Sequence, residues 1–298
     1  MARYNVTFFS RHGITSMNNQ KKEETMKRIF QFLFILVIFL LVYWANISAE
    51  ELTVPLTNPN APCKLKAALH RGGITVKGYN GNQILVETEL VSKKNKEGRD
   101  TGQEVKGLKR IPNTGMDLVV EEEDNLVKIY SGSLNQKLNL HIQVPFNTSL
   151  KLSCHHDGDI NVDQVNGEFE IHNHHGSITL TNISGTAMAN THHGKITAAF
   201  NNINSKQPMS FTTYHGNINV TLPADTKAKL KMKSDRGDFY TDFDMKVGVS
   251  SPKIEKREKE RGKYRVKVEK GVYGTINGGG VDIDLKTYHG NIYIRKGK

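Results

Sequence analysis

His174-His175-Gly176-Ser177-Ile178-Thr179-Leu180 joins a His-Gly step to a run of alternating apolar residues, and the phrase recurs. Copies stand at His192-His193-Gly194-Lys195-Ile196-Thr197-Ala198, Tyr214-His215-Gly216-Asn217-Ile218-Asn219-Val220 and Tyr288-His289-Gly290-Asn291-Ile292-Tyr293-Ile294. Weaker half-phrases complete a series of glycines at Gly158, Gly167, Gly176, Gly185 and Gly194, a nine-residue spacing held four times running. Two and four positions beyond each glycine lie Ile160/Val162, Phe169/Ile171, Ile178/Leu180, Ala187/Ala189 and Ile196/Ala198, all apolar. Period-two alternation is the pattern of a half-buried strand, and glycine suits the turn between strands. A fixed period repeated this often signals stacked repeats rather than an ordinary globular core. Nine residues hold one strand of about five residues and a tight turn. Two such units make an 18-residue coil. The expected fold is all-β: a parallel β-solenoid, or β-helix, with coils about 4.8 Å apart and irregular excursions from the stack.

Working outward, Leu69-His70-Arg71-Gly72-Gly73-Ile74-Thr75-Val76 is a variant of the phrase, and Gly78-Tyr79-Asn80-Gly81 reads as a turn before a strand at residues 84–86. Residues 92–113 are charged with little apolar periodicity, which predicts an excursion. Strands are expected at 116–120, 126–130 and 138–144, the last stopped by Pro145. The regular ladder spans 150–222 with an irregular insert at 201–207, and Gly237-Asp238-Phe239 is a degraded copy. Residues 244–270, with a charge run at 253–261 and alternating Tyr264, Val266 and Val268, predict a protruding hairpin.

Met26-Lys27-Arg28, an apolar run over residues 29–45 and the small residue Ala49 together have the form of a secretory signal peptide. The run approaches the ~20 residues that cross a bilayer, so an uncleaved anchor is the alternative. The domain reading is therefore a disordered extension over 1–25 ahead of a better start at Met26, a signal or anchor over 26–49, and one domain over 50–298. Export to the periplasm, the outer-membrane surface or the extracellular space follows. The chain carries 41 basic and 30 acidic residues, both signs interspersed and without an arginine-rich block interleaved with aromatics. Nucleic-acid binding calls for a concentrated basic patch, so no nucleic-acid partner is expected, and membrane contact is expected only through the N-terminal segment. Cys63 and Cys154 both fall in the exported part, where a disulfide is permitted. The sequence leaves open whether their Cα atoms come within bonding range.

Three stretches carry a family resemblance: Gly73-Ile74-Thr75-Val76-Lys77-Gly78-Tyr79-Asn80-Gly81, the repeated Gly-x-Ile-x-Val phrase, and the ending Gly274-Thr275-Ile276-Asn277-Gly278-Gly279-Gly280 with Gly290 to Arg295. They resemble the bacterial putative-adhesin family, a domain of unknown function with β-solenoid character. The likeness extends over most of residues 50–298. It implies an exported, repeat-built protein of the cell envelope and carries over no catalytic residues. Histidine just before the repeat glycines departs from the Asn or Ser that would be more usual there.

Those histidines are the sharpest chemical feature. His174/His175 and His192/His193 precede equivalent glycines, His155/His156 stand almost in register one coil earlier, displaced by Asp157, and His215 follows after a longer coil. Stacked at strand spacing, these imidazoles could bind Zn²⁺, Cu²⁺ or Ni²⁺, with Asp157 or Asp159 as an oxygen ligand. The plainer alternative is a ladder of corner side chains holding no ion, since a column offers mostly pairs of ligands. His156-Asp157-Gly158-Asp159 has the look of a calcium β-roll turn, but the Gly-Gly-x-Gly-x-Asp pattern is absent and six or more oxygens are not supplied. No Gly-x-Ser-x-Gly elbow, phosphate-cradling loop or His-Glu-x-x-His occurs. The leading reading is thus a non-enzymatic, adhesin-like envelope protein that presents a long surface to an envelope, surface or polysaccharide partner. A periplasmic metal-binding protein is second and a carbohydrate-active β-helix enzyme third. Exposed terminal strands would permit end-to-end self-association.

Overall fold

Each His-Gly phrase forms a strand, a glycine corner and a second strand, and the glycine is obligatory for two reasons. At Gly176 φ is +149°, and a Cβ would collide with the carbonyl oxygen of Gly158 in the neighbouring coil. The chain turns where adjacent backbones touch, so only hydrogen fits. These corners belong to a computed structural model describing residues 51–91, 118–132, 136–249, 253–256, 266–269 and 271–297. The signal or anchor at 26–49 and the excursion at 92–113 lie outside the described residues. Among those described there is no helix, and hence none long and apolar enough to cross a membrane.

The strands before the regular repeat are β1 (Glu51–Pro55), β2 (Cys63–Arg71), β3 (Ile74–Tyr79), β4 (Gln83–Leu90), β5 (Leu118–Glu123), β6 (Leu126–Ser131) and β7 (Leu138–Pro145). The repeat contributes β8 (Thr148–His156), β9 (Ile160–Asp163), β10 (Asn166–His175), β11 (Ile178–His193), β12 (Ile196–Ile203), β13 (Met209–His215) and β14 (Ile218–Leu222). Then come β15 (Ala228–Arg236), β16 (Phe239–Thr241), β17 (Met245–Val249) and β18 (Lys253–Lys256). β19 (Val266–Glu269), β20 (Val272–Ile276), β21 (Val281–His289) and β22 (Ile292–Lys296) complete the order.

Through the middle the pairing is parallel. Gly167 lies opposite Gly185 and His175 opposite His193, an offset of 18 residues. Ile160, Ile178 and Ile196 align in the companion ladder of β9, β11 and β12. His193 meets His215 at the longer offset of 22 that the insert creates. Strand β11 belongs to both ladders, its first part pairing with β9 and its second with β10.

The margins differ from a uniform parallel stack. β4 pairs antiparallel with β7 and β1 with β4, β5 runs antiparallel to β6, and β20 runs antiparallel to both β15 and β17. The sheet is therefore mixed, which corrects the expectation of a parallel solenoid broken only by irregular excursions. The cause is local at β5–β6, where Asp124 and Asn125 both take positive φ, the geometry of a two-residue hairpin. Chain order is also broken. β21 and β22 insert between β13/β14 and β15/β16, while β2 and β3 insert between β6/β7 and β8/β9. The hairpin expected in 244–270 corresponds to a separate antiparallel pair, β18 with β19; Tyr264 lies outside the described residues. β17 instead joins the main sheet.

All ten apolar positions counted from the repeat glycines are buried, Phe169, Ile178 and Ile196 among them. Each of the larger side chains among them contributes about 1.5–3 kcal/mol through burial, and alternation sends the intervening residues outward. Both cysteines are buried and free. Cys63 sits opposite Thr148 and Cys154 opposite Leu69, which is six positions further along β2, about 20 Å at strand rise. The disulfide left open by the sequence does not form.

Candidate functional site

The corner that turns each coil also builds a side-chain array. Just ahead of the His pair stands a buried or half-buried residue whose side chain donates a hydrogen bond to the corner-glycine carbonyl of the adjacent coil. Asn173 Nδ2 donates to Gly158 O (2.9 Å), Thr191 Oγ1 to Gly176 O (2.8 Å), Thr213 Oγ1 to Gly194 O (3.0 Å) and Thr287 Oγ1 to Gly216 O (3.0 Å). Ser234 does the same for Gly290 (2.9 Å), and the Cys154 thiol does so for Gly72 (2.6 Å). Burial pushes that thiol up to about 11, so it stays a protonated donor.

Beyond this residue the two rings of each phrase stand outside the core in two parallel columns. The first runs His70, His155, His174, His192, Tyr214, Tyr288, with neighbouring centroids 4.7–5.5 Å apart and ring planes within about 11°. The second runs His156, His175, His193, His215, His289 at 4.8–5.1 Å. Arg71 stands opposite His156 at one end of it and Arg236 opposite His289 at the other. Within a phrase the two rings meet edge to face at 4.2–4.7 Å. The extra residue Asp157 takes φ +61°, which leaves His155 and His156 stacked on the next coil.

Crowding sets the electrostatics. His156, His174, His193 and His289 all titrate below their ordinary 6.5, first through desolvation by their surroundings. Repulsion from adjacent imidazoles adds to this, and at His289 the Arg236 charge adds more. Asp157, proposed as an oxygen ligand, is instead engaged by Arg71, whose Nη2 lies 2.7 Å from Oδ2 and holds the carboxyl low. Asp159 Oδ1 accepts the Ser177 N–H at 2.7 Å. Each aspartate thus has one carboxylate oxygen already engaged within the fold.

All seven histidines singled out by sequence join the columns: His155, His174 and His192 in the first, His156, His175, His193 and His215 in the second. Stacking along a column keeps ring planes parallel, so lone pairs do not converge. Among the described residues no three His, Cys, Asp or Glu side chains gather as one metal-binding group. What converges is the pair within a phrase: Nδ1 of His174 lies 2.8 Å from Nδ1 of His175, and Nδ1 of His192 lies 2.8 Å from Nδ1 of His193. Sequence reasoning missed His70, Tyr214, Tyr288 and His289 as members of the array. Each lies in a visible copy of the phrase, but His289 stacks on His215 only because the last coil inserts out of chain order.

A family match, described as Toastrack DUF4097, runs over residues 15–295. The chain belongs to that family. It is the repeat-built domain of unknown function that the glycine phrases resemble. No curated protein matches the chain. Among solved structures, this Toastrack chain is similar to a "putative cell adhesion protein" from Clostridium sporogenes ATCC 15579. That likeness has 14% identity and a TM-score of 0.42, covering 84% of this chain and 100% of the other. It is also similar to a "putative adhesin" from Bacteroides fragilis NCTC 9343, at 9% identity and a TM-score of 0.26, covering 84% and 98% of the two chains. Those functional names belong to those proteins alone.

Proposed function

We propose that this Toastrack protein is an exported, non-enzymatic protein of the cell envelope whose coils, a parallel β-solenoid through the middle, present an adhesin-like binding face. One observation carries the reading. Thr75, Asn161, Thr179, Thr197, Asn219 and Tyr293 align in an unbroken row, one to a strand, across six parallel strands. At strand spacing that row is about 24 Å long, and every member alternates with buried residues that fix its direction. Hydrogen-bonding groups laid out at a regular interval suit an extended, repetitive partner such as an envelope polysaccharide. Catalysis instead needs groups that converge on one reacting atom. Export is supported by the basic, apolar and small-residue order of residues 26–49.

Two measurements test the reading together. Cell fractionation of the tagged full chain is expected to recover it with the envelope, and the purified full chain is expected to sediment with isolated envelope polysaccharide. The variant Thr179→Ala/Thr197→Ala/Asn219→Ala removes only outward polar groups, without stacking like charges on neighbouring strands, and is expected to keep its melting temperature while losing at least tenfold in binding. Recovery in the cytosol would overturn export, and binding unchanged in the triple variant would overturn the role of the row.

A further inference from the structure

The two Nδ1 pairs lie at the corner, and their geometry is independent of what the polar row binds. A 2.8 Å separation between two imidazole nitrogens has two chemical uses. In one, a neutral ring donates Nδ1–H to the other ring's Nδ1 lone pair. In the other, both rings carry their proton on Nε2 and both Nδ1 lone pairs point at a shared ion. A metal–imidazole bond of 2.0–2.1 Å and a ligand angle of 90° place two nitrogens roughly 2.9 Å apart, whereas a tetrahedral angle places them roughly 3.4 Å apart. The observed bite fits the right-angled geometry of square-planar or tetragonal ions, which is that of Cu²⁺ and Ni²⁺ rather than Zn²⁺.

We infer that His174/His175 and His192/His193 are two bidentate chelates for a divalent transition metal, Cu²⁺ first, each holding one ion through its two Nδ1 atoms. The ion cannot sit between the pairs. With stacked rings 5.0–5.1 Å apart, a midpoint ion would lie roughly 2.9 Å from every nitrogen, beyond bonding reach. Each pair therefore binds separately, with water completing the coordination. On loading, the donating ring's proton moves from Nδ1 to Nε2, so two neutral imidazoles take up the ion with no net proton release. His155/His156 meet edge to face at 4.2 Å without a close Nδ1 pair, and Tyr214/His215 and Tyr288/His289 offer one imidazole each.

Those tyrosine-containing phrases supply a conservative variant. His174→Tyr/His192→Tyr places at both corners the ring that the fold already stacks at Tyr214 and Tyr288, and removes one nitrogen from each chelate. Calorimetric titration of the full chain in mild detergent with Cu²⁺, read alongside electron paramagnetic resonance, is expected to give two ions per chain with coupling to two nitrogens each. Ni²⁺ and then Zn²⁺ are expected to bind more weakly. The double variant is expected to keep its circular dichroism and melting temperature and to lose at least tenfold in Cu²⁺ affinity, while His155→Tyr keeps both ions. Absence of stoichiometric Cu²⁺ binding in the unmodified chain would overturn the assignment. So would equal affinity in the double variant, or equal loss in His155→Tyr.

Discussion

The coils of β8–β14 and the coils at the two margins use one corner phrase in two different ways. In the middle each coil stacks on its neighbour in the chain, 17–22 residues away. At the margins the partners are distant: Ile218 pairs with Ile292, and Leu65 with Val127. Yet the corner chemistry is the same, since Thr287 donates to Gly216 just as Thr191 donates to Gly176. Complementary corners, rather than continuity of the chain, therefore decide what stacks on what. Loop-closure entropy rises only slowly with loop length, so a coil some seventy residues away can compete for a place that a sequence neighbour would otherwise fill.

Removing the last coil tests this most severely. In a stack built in chain order, deleting residues 281–298 would only shorten one end. Here β21 and β22 separate β13/β14 from β15/β16, so deletion removes an interior layer. Truncation after Gly280 is expected to abolish protection of β15 and β20 in hydrogen exchange, with partial retention in β8–β12. Protection of β15 at the full-length level would mean that the margin stands without the inserted coil.

Two glycines sharpen the contrast between middle and margin. At Gly176 positive φ and the neighbouring carbonyl both exclude a side chain, whereas a Cβ on Gly248, in marginal β17, would meet nothing within 4 Å. Gly176→Ala is expected to cost at least about 3 kcal/mol in denaturant unfolding, combining backbone strain with displacement of a packed coil. Gly248→Ala is expected to stay within about 0.5 kcal/mol.

The same division explains what could be read from the amino acids. Period nine gave strands, inward residues and histidine register in the middle because each partner lies one period away. Leu126–Ser131 and Leu138–Pro145 were legible as strands, but their parallel partners β2 and β3 were not, since nothing in a strand's own alternation names a partner some sixty residues distant. The antiparallel β5–β6 turn did carry a signal in Asp124-Asn125, two residues that tolerate positive φ. At the site, spacing gave the columns but not the pairing across them. Whether two adjacent corner histidines point apart or together depends on side-chain rotation, on which sequence periodicity is silent.

The columns predict a pH response centred in the middle coils. Four imidazoles titrate below 6.5 in the folded protein, namely His156, His174, His193 and His289. Unfolding restores ordinary values, so the unfolded chain binds more protons as pH falls through about 6.5, and stability falls with it. Asp157 beside His156 and Asp235 beside His289 offset part of the repulsion, while Arg236 adds to it. With chelator present, the melting temperature is expected to fall between pH 7 and pH 5, and less steeply in His174→Tyr/His192→Tyr. A flat profile over that range would show that the stacked rings accept protons without strain. The depressed carboxyls Asp157 and Glu170 act in a separate window, their stabilisation being lost as pH falls below about 4.

The smallest effect concerns the corner hydrogen bond common to middle and margin. Thr213→Val keeps shape and burial but removes the donor to Gly194 O, and is expected to cost about 1 kcal/mol. Ser234→Ala, at the marginal corner against Gly290, should cost a similar amount if the corner works alike in both regions. Cys154→Thr replaces a thiol donor by the threonine hydroxyl that three other coils use at the same position. It is expected to be neutral or slightly stabilising in chemical denaturation. A Cys154→Thr loss as large as that of Thr213→Val would show that the first coil of the regular repeat is shaped to sulfur, and that the corners are not interchangeable after all.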